Sequence, residues 1–83
     1  MFQIEVKKKA AKEIMNLRPK DQKRIYASFD ILRQNPFSGK KLEGEFEGAW
    51  SLRVWPYRII YTIHKEIVTV TVLRVRHRQG AYK

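Results

Sequence analysis

The spacing of hydrophobic residues changes near the middle of the chain. Within residues 1–6, Phe2, Ile4 and Val6 alternate with the polar Gln3 and Glu5, which predicts a short half-buried strand. Apolar residues then recur at helical spacing, and a period of two returns after residue 48. The predicted elements are a strand at 1–6, helices at 7–17 and 18–36, and strands at 49–54, 57–64 and 67–77.

This order of elements predicts an α+β fold in a single domain, residues 1–83. The helices follow one another so closely that an antiparallel hairpin is expected. The three later strands, joined by short turns, should form an antiparallel meander. We expect both helices to cover one face of this small sheet and the other face to stay at least partly open. Residues 37–48 are expected to be a loop, and Trp55-Pro56 a tight turn.

Composition narrows the class of partner. Eighteen Lys and Arg against eight Asp and Glu give a net charge of +10, which favours a polyanionic partner such as nucleic acid or an acidic protein. There is no cysteine, and His64 and His77 lack metal-ligand spacing, so neither a metal nor a cofactor is expected. No apolar run approaches the roughly 18–20 residues of a membrane span, so we expect a cytoplasmic protein without membrane contact.

Cationic residues near the ends of the predicted strands are the main candidates for chemistry. Meander geometry predicts that Arg53, Arg58 and Arg78 converge at one end of the sheet. The alternation of side chains changes phase at Val72-Leu73, so the pattern leaves open the face to which each one points. Arginine can stabilise negative charge on a phosphate, whereas histidine and an activated tyrosine can move protons. On residue chemistry alone, Arg53, Arg58, His77, Arg78 and Tyr82 are candidate catalytic residues of a metal-free ribonuclease, and a solvated or simple RNA-binding face is the alternative. Candidate RNA contacts are Trp55, by stacking, and Arg74 and Arg76, by charge.

Three segments together resemble the RelE/ParE superfamily of toxins from type II toxin–antitoxin pairs. They are KKLEGEFEGAWSLRV, YRIIYTI and VLRVRHRQGAY, and the preceding helical hairpin agrees with them. The resemblance implies a ribosome-dependent endoribonuclease that cuts mRNA in the A site. The attack of a 2′-OH would leave a 2′,3′-cyclic phosphate and a 5′-OH.

The resemblance also implies roles and partners. Arg53 and Arg58 would clamp phosphate, Arg78 would stabilise the leaving-group side, and Tyr82 would position or activate the 2′-OH. His77 is retained as an acid–base candidate. The implied partners are an acidic RelB-like antitoxin, the ribosome and mRNA, and the toxin–antitoxin complex would bind operator DNA through the antitoxin.

Two departures from the family pattern leave alternatives open. Some RelE members have a lysine where this chain has Ser51, which puts the allocation of acid and base in doubt. Trp55-Pro56 replaces a Gly or Asp that often precedes the Tyr-Arg pair. The alternatives are a ParE-like inhibitor of DNA gyrase on the same fold, a non-catalytic RNA- or ribosome-binding module, and a degenerate toxin.

Overall fold

The computed structural model describes residues 1–78. The helices are α1 (Lys8–Met15) and α2 (Pro19–Gln34). The strands are β1 (Gln3–Val6), β2 (Lys40–Lys41), β3 (Trp50–Val54), β4 (Tyr57–His64) and β5 (Thr69–His77). The predicted α+β class and the order of the predicted helices and strands are confirmed.

The five strands form one sheet in the order β1-β5-β4-β3-β2. Strands β3, β4 and β5 make the predicted antiparallel meander. The expectation of a loop at 37–48 was wrong in part, because this segment contributes the short strand β2, antiparallel to β3. Strand β1 lies parallel to β5 at the opposite edge. A parallel pair needs a crossover connection, and the helical hairpin is part of it.

The hydrophobic core lies between the helices and one face of the sheet, as expected. Isoleucines on both helices pack against strand residues that are fully buried. The core contains Ala10, Ile14, Ile25, Phe29 and Leu32 from the helices and Ile59, Tyr61, Val70, Val72 and Val75 from the strands. The residues that alternate with these strand positions therefore face the side of the sheet opposite the helices.

The alternation of side chains between the two faces of the sheet shifts by one residue at a β-bulge in β5. Ile60 on β4 lies opposite Arg74, but the next residue, Tyr61, lies opposite Val72, so Leu73 has no partner in the ladder. One inserted residue shifts every following side chain by one position relative to the preceding part of the strand. The bulge therefore decides which of the C-terminal cations face away from the helices.

Beyond the end of β1, a carboxylate from α1 accepts a backbone hydrogen bond from the free edge of β5. The ladder with β1 stops at Val72, and the backbone N–H of Val75 donates instead to Glu13 Oε1 at 2.8 Å. The other carboxylate oxygen accepts from Arg74 Nη2 at 2.7 Å. Glu13 thus joins α1 to the part of β5 that carries the cationic residues.

The start of α2 is tied to the start of β4. Pro19 occupies the first turn, as its fixed φ favours. The buried carboxylate of Asp21 accepts a hydrogen bond from the Tyr57 hydroxyl at 3.0 Å. Arg18 and Arg24 lie within 3.8 and 3.7 Å of the same carboxylate. This cluster holds the helical hairpin against the β3–β4 turn.

Two classes of feature are not found in residues 1–78. No helix in this part of the chain combines the length and apolar character needed to cross a membrane. The same residues contain no group of three or more His, Cys, Asp or Glu side chains placed to hold a metal ion.

Candidate anion-binding site

Three arginines lie in one row across the meander. Arg53 on β3 is the register partner of Arg58 on β4, and Arg58 is the partner of Arg76 on β5. Neighbouring strands lie about 4.8 Å apart, and directly opposite side chains point to the same face. The residues beside them in each strand, including Ile59 and Val75, belong to the core, so the arginine row faces away from the helices.

A groove of about 330 Å³ lies beside this row. Its lining residues are Ser38, Gly39, Lys40, Ser51, Leu52, Arg53 and Arg58. Three of these residues are cationic, and none of the lining residues in the described part of the chain is acidic. Like charges brought together in this way favour occupation by an anion such as phosphate.

The loop that forms one wall of the groove is held by a buried tyrosine. The Tyr61 side chain is fully buried, and its hydroxyl donates to the Pro36 carbonyl oxygen at 2.7 Å. Burial raises the pKa of Tyr61, and a hydrogen bond from the Gly39 backbone partly offsets this shift. A Cβ at Gly39 would lie 2.6 Å from the Ser51 carbonyl oxygen and would also meet the Tyr61 hydroxyl. Only glycine lets the loop approach this closely.

The predicted convergence of Arg53, Arg58 and Arg78 is only partly seen. Arg53 and Arg58 are adjacent, but the third arginine in the row is Arg76. Arg78 lies further along, where its backbone N–H donates to the Pro56 carbonyl at 2.7 Å. Its guanidinium carbon is 4.8 Å from the centre of the Trp55 ring, which is half exposed. Arg78 is therefore stacked on the β3–β4 turn rather than placed in the row.

His77 lies on the other face of the sheet from the arginine row. It is the register partner of Tyr57, and the two rings meet edge to face with centroids 5.6 Å apart. Burial, followed by the hydrogen bond to Asp21, raises the pKa of Tyr57. His77 is exposed but does not line the groove that contains Arg53 and Arg58.

Two predicted site residues, Arg74 and Tyr82, remain to be placed. Arg74, predicted to attract RNA, is instead bound to Glu13 through two nitrogens, and this hydrogen bond raises its pKa. We therefore leave Arg74 out of the candidate site. Tyr82 lies outside the described residues.

Sequence reasoning missed Lys40 as a site residue. Lys40 reaches the groove through β2, which has only two residues. A segment that short shows no hydrophobic period, so the pattern predicted a loop. The sequence feature that could have pointed to Lys40 is the Gly39-Lys40 pair just before Leu42-Glu43-Gly44.

Comparison with known proteins supplies the family. Residues 4–82 match the sequence model of a family described as the ParE toxin of the type II toxin–antitoxin system parDE. The chain belongs to the RelE/ParE superfamily of toxins. It is 40% identical to toxin RelG of Mycobacterium tuberculosis over 58 residues, which cover 70% of this chain and 67% of that protein. It is 26% identical to the putative toxin RelE1 of Methanocaldococcus jannaschii over 87 aligned positions, covering 99% and 96% of the two chains.

Solved structures of RelE toxins have the same fold. The toxin–antitoxin complex RelBE2 of M. tuberculosis contains a chain that matches with a TM-score of 0.87 and 32% identity, covering 93% of this chain and 91% of that chain. The archaeal RelE–RelB complex of Pyrococcus horikoshii matches with a TM-score of 0.80 and 24% identity, covering 93% and 94%. The family resemblance drawn from the sequence is confirmed, and the protein is a RelE-family toxin of the type II class.

Proposed function

We propose that this RelE-family toxin is a ribosome-dependent endoribonuclease that cuts mRNA in the A site without a metal ion. The observation that carries the proposal is the in-register row of Arg53, Arg58 and Arg76 beside a cationic groove. The row faces the side of the sheet that the helices leave uncovered. A fixed array of positive charge on such a surface suits a phosphodiester whose negative charge increases during reaction.

The proposed reaction is an internal displacement at phosphorus. The ribose 2′-oxygen loses its proton and bonds to the adjacent phosphorus, and the bond to the 5′-oxygen breaks as that oxygen gains a proton. The products are a 2′,3′-cyclic phosphate and a 5′-OH. Arg53 and Arg58 hold the non-bridging oxygens, and Arg76 joins them as a third cation. The guanidinium groups stay charged throughout, since arginine does not deprotonate in proteins.

Proton transfer is assigned to residues near the end of the chain. We retain Tyr82 as the group that positions or activates the 2′-OH and Arg78 as the cation nearest the leaving group. His77 is a proton-transfer candidate only for a substrate that extends past the end of the sheet, because it faces away from the groove. Trp55, half exposed beside Arg78, offers a stacking surface for a base.

Replacing Arg58 tests the proposal most directly. Arg58→Ala removes the central charge of the row, and we expect the cleavage rate on translating ribosomes to fall about 100-fold or more, as for the loss of one preorganised oxyanion contact. The measurement maps mRNA 5′ ends at single-nucleotide resolution and times their appearance. Wild-type cuts should be in phase with the A-site codon, and naked RNA should remain intact.

Arg33→Ala is the matched control. This substitution also removes one positive charge, but from α2, where Arg33 pairs with Asp30 on the surface. The Arg33→Ala variant should cut mRNA at the wild-type rate. Equal activity of Arg58→Ala and wild type, or an absence of A-site-phased cuts by the wild type, contradicts the nuclease proposal.

An acidic antitoxin is the proposed protein partner. The +10 charge and the arginine row favour a partner with acidic side chains, and the similar RelBE2 and archaeal structures are toxin–antitoxin complexes. We propose a RelB-like antitoxin that carries the operator-DNA contacts of the complex. We expect a small acidic protein to be encoded beside this toxin. Co-expression of the two should give a stable complex, and failure to co-purify, or the absence of such a neighbouring gene, contradicts this assignment.

Inhibition of DNA gyrase is the second candidate, because the matching family model is described as ParE. If the toxin is a nuclease, it should not inhibit purified gyrase in a supercoiling assay. Inhibition by the wild type, together with intact mRNA on ribosomes, would establish the gyrase alternative.

A further inference from the structure

Lys40 has no assigned role, although it lines the groove beside the arginine row. We propose that Lys40 is a further phosphate-binding residue, which contacts the backbone of single-stranded RNA next to Arg53 and Arg58. That the ligand is RNA rests on the proposed nuclease function. The place of Lys40 in the wall of the groove does not depend on that function.

The register of β2 places Lys40 on the same face as the arginine row. Lys40 is the partner of Ser51, and Ser51 is two residues from Arg53 on β3, so all three point to one face. Diagonal neighbours of this kind lie about 7–8 Å apart, within reach of long side chains. Ser51 is buried and short, so it leaves the space between Lys40 and Arg53 to the groove.

The neighbouring lysine faces the other way. Lys41 is the partner of Trp50, and its ammonium nitrogen lies 5.8 Å from the centre of the Trp50 ring. Trp50 packs against the core on the helix side of the sheet. The two adjacent lysines thus carry the same charge on opposite faces, and only Lys40 is directed to the groove.

The backbone before Lys40 is held in place. Gly39 packs against the Ser51 carbonyl, and the Tyr61 hydroxyl binds the Pro36 carbonyl at 2.7 Å. A residue on an anchored backbone loses less freedom when it binds a ligand than one on a loose loop. Lys40 is therefore preorganised as a phosphate contact despite its place on an edge strand of two residues.

Binding of a short 2′-O-methyl oligoribonucleotide tests this assignment without cleavage, because the probe lacks a free 2′-OH. Its affinity is measured by fluorescence anisotropy over a range of salt concentrations. For single strands the slope of log affinity against log salt is about −0.7 per neutralised phosphate. We expect Lys40→Ala to reduce the slope by about 0.7 and Lys40→Arg to restore it, with Lys41→Ala matching the wild type.

The outcomes separate this inference from the proposed function. Unchanged slope in Lys40→Ala, equal loss in Lys41→Ala, or no binding of the probe by the wild type overturns the assignment of Lys40. On translating ribosomes, Lys40→Ala should cut about tenfold more slowly than wild type and Lys40→Arg should recover most of the rate. If the wild type binds the probe with the predicted slopes but cuts no mRNA, the nuclease proposal fails and the phosphate site remains.

Discussion

Tyr61 shows how one buried hydroxyl connects the core to the candidate site. Its ring belongs to the core under the helices, and its hydroxyl binds the loop that leads to Lys40. A buried polar group is stabilising only when it is paired, and the Pro36 carbonyl and the Gly39 backbone pair this hydroxyl. The same contacts that stabilise the fold therefore position a residue of the groove.

Tyr61→Phe should lower the stability of the fold at neutral pH. Loss of the hydroxyl leaves the Pro36 carbonyl without its partner, and we expect the free energy of unfolding to fall by about 1–3 kcal/mol at neutral pH. Chemical denaturation followed by circular dichroism measures it. The exposed Tyr26 provides the control, because Tyr26→Phe should leave the neutral value unchanged. A wild-type free energy in Tyr61→Phe contradicts the role given to the hydroxyl.

Alkaline pH should destabilise the wild type through the same tyrosine. Burial raises the pKa of Tyr61 in the folded protein, and Tyr57 shifts in the same direction. The folded state then holds protons that the unfolded state releases, so this stabilisation is complete below about pH 10 and is lost as pH rises through the folded pKa values. The free energy of unfolding should fall above about pH 10, and less steeply in Tyr61→Phe. Equal slopes in the two proteins contradict the prediction.

At the scale of elements, β5 depends on a helix to complete its edge. Glu13 accepts the Val75 N–H and pairs with Arg74, and both side chains of this pair are about three-quarters buried, with 24% exposure each. Glu13→Ala leaves the arginine and the N–H without this partner, so we expect a loss of about 1–3 kcal/mol in the free energy of unfolding. Urea denaturation measures the change.

Asp30→Ala is the control for the Glu13 prediction. It breaks the Arg33–Asp30 pair, whose carboxylate is 75% exposed, and exposed pairs contribute little. If Asp30→Ala lowers the free energy of unfolding as much as Glu13→Ala does, the hydrogen bonds of Glu13 to β5 do not provide the expected stabilisation.

Local patterns predicted the helices, β1 and the meander, but not β2 or the strand with which β1 pairs. Alternation marks β3, β4 and β5 directly, whereas β2 is too short to show a period. The parallel pairing of β1 with β5 joins residues more than sixty positions apart, such as Ile4 and Val70, so no local signal specifies it.

The candidate site was predictable only where a tight turn sets the register. Arg53 and Arg58 flank the β3–β4 turn, so their pairing followed from the hairpin. The bulge at Leu73 puts Arg76 rather than Val75 opposite Arg58, because a shift of one residue moves a side chain to the other face. The same bulge places His77 on the face opposite the arginine row.

At the scale of the whole molecule, charge and shape act together. The helices cover one face of the sheet, and the arginine row and Lys40 lie on the other. The net charge of +10 favours an acidic partner, and we propose that the arginine row and Lys40 direct it to this face. The same positive charge suits RNA, so the proposed antitoxin and the proposed RNA substrate should compete for one surface.

Association with the antitoxin should therefore depend strongly on salt. We expect the association rate constant of the proposed acidic antitoxin to fall about tenfold or more between low and high ionic strength, because screening removes electrostatic steering. Stopped-flow fluorescence, using Trp50 and Trp55 as probes, measures the rate. Arg53→Ala should lower the low-salt rate more than Arg33→Ala, although each removes one charge, since Arg53 lies on the uncovered face and Arg33 on α2. A rate that does not respond to salt, or equal effects of the two substitutions, would place the antitoxin elsewhere on the toxin.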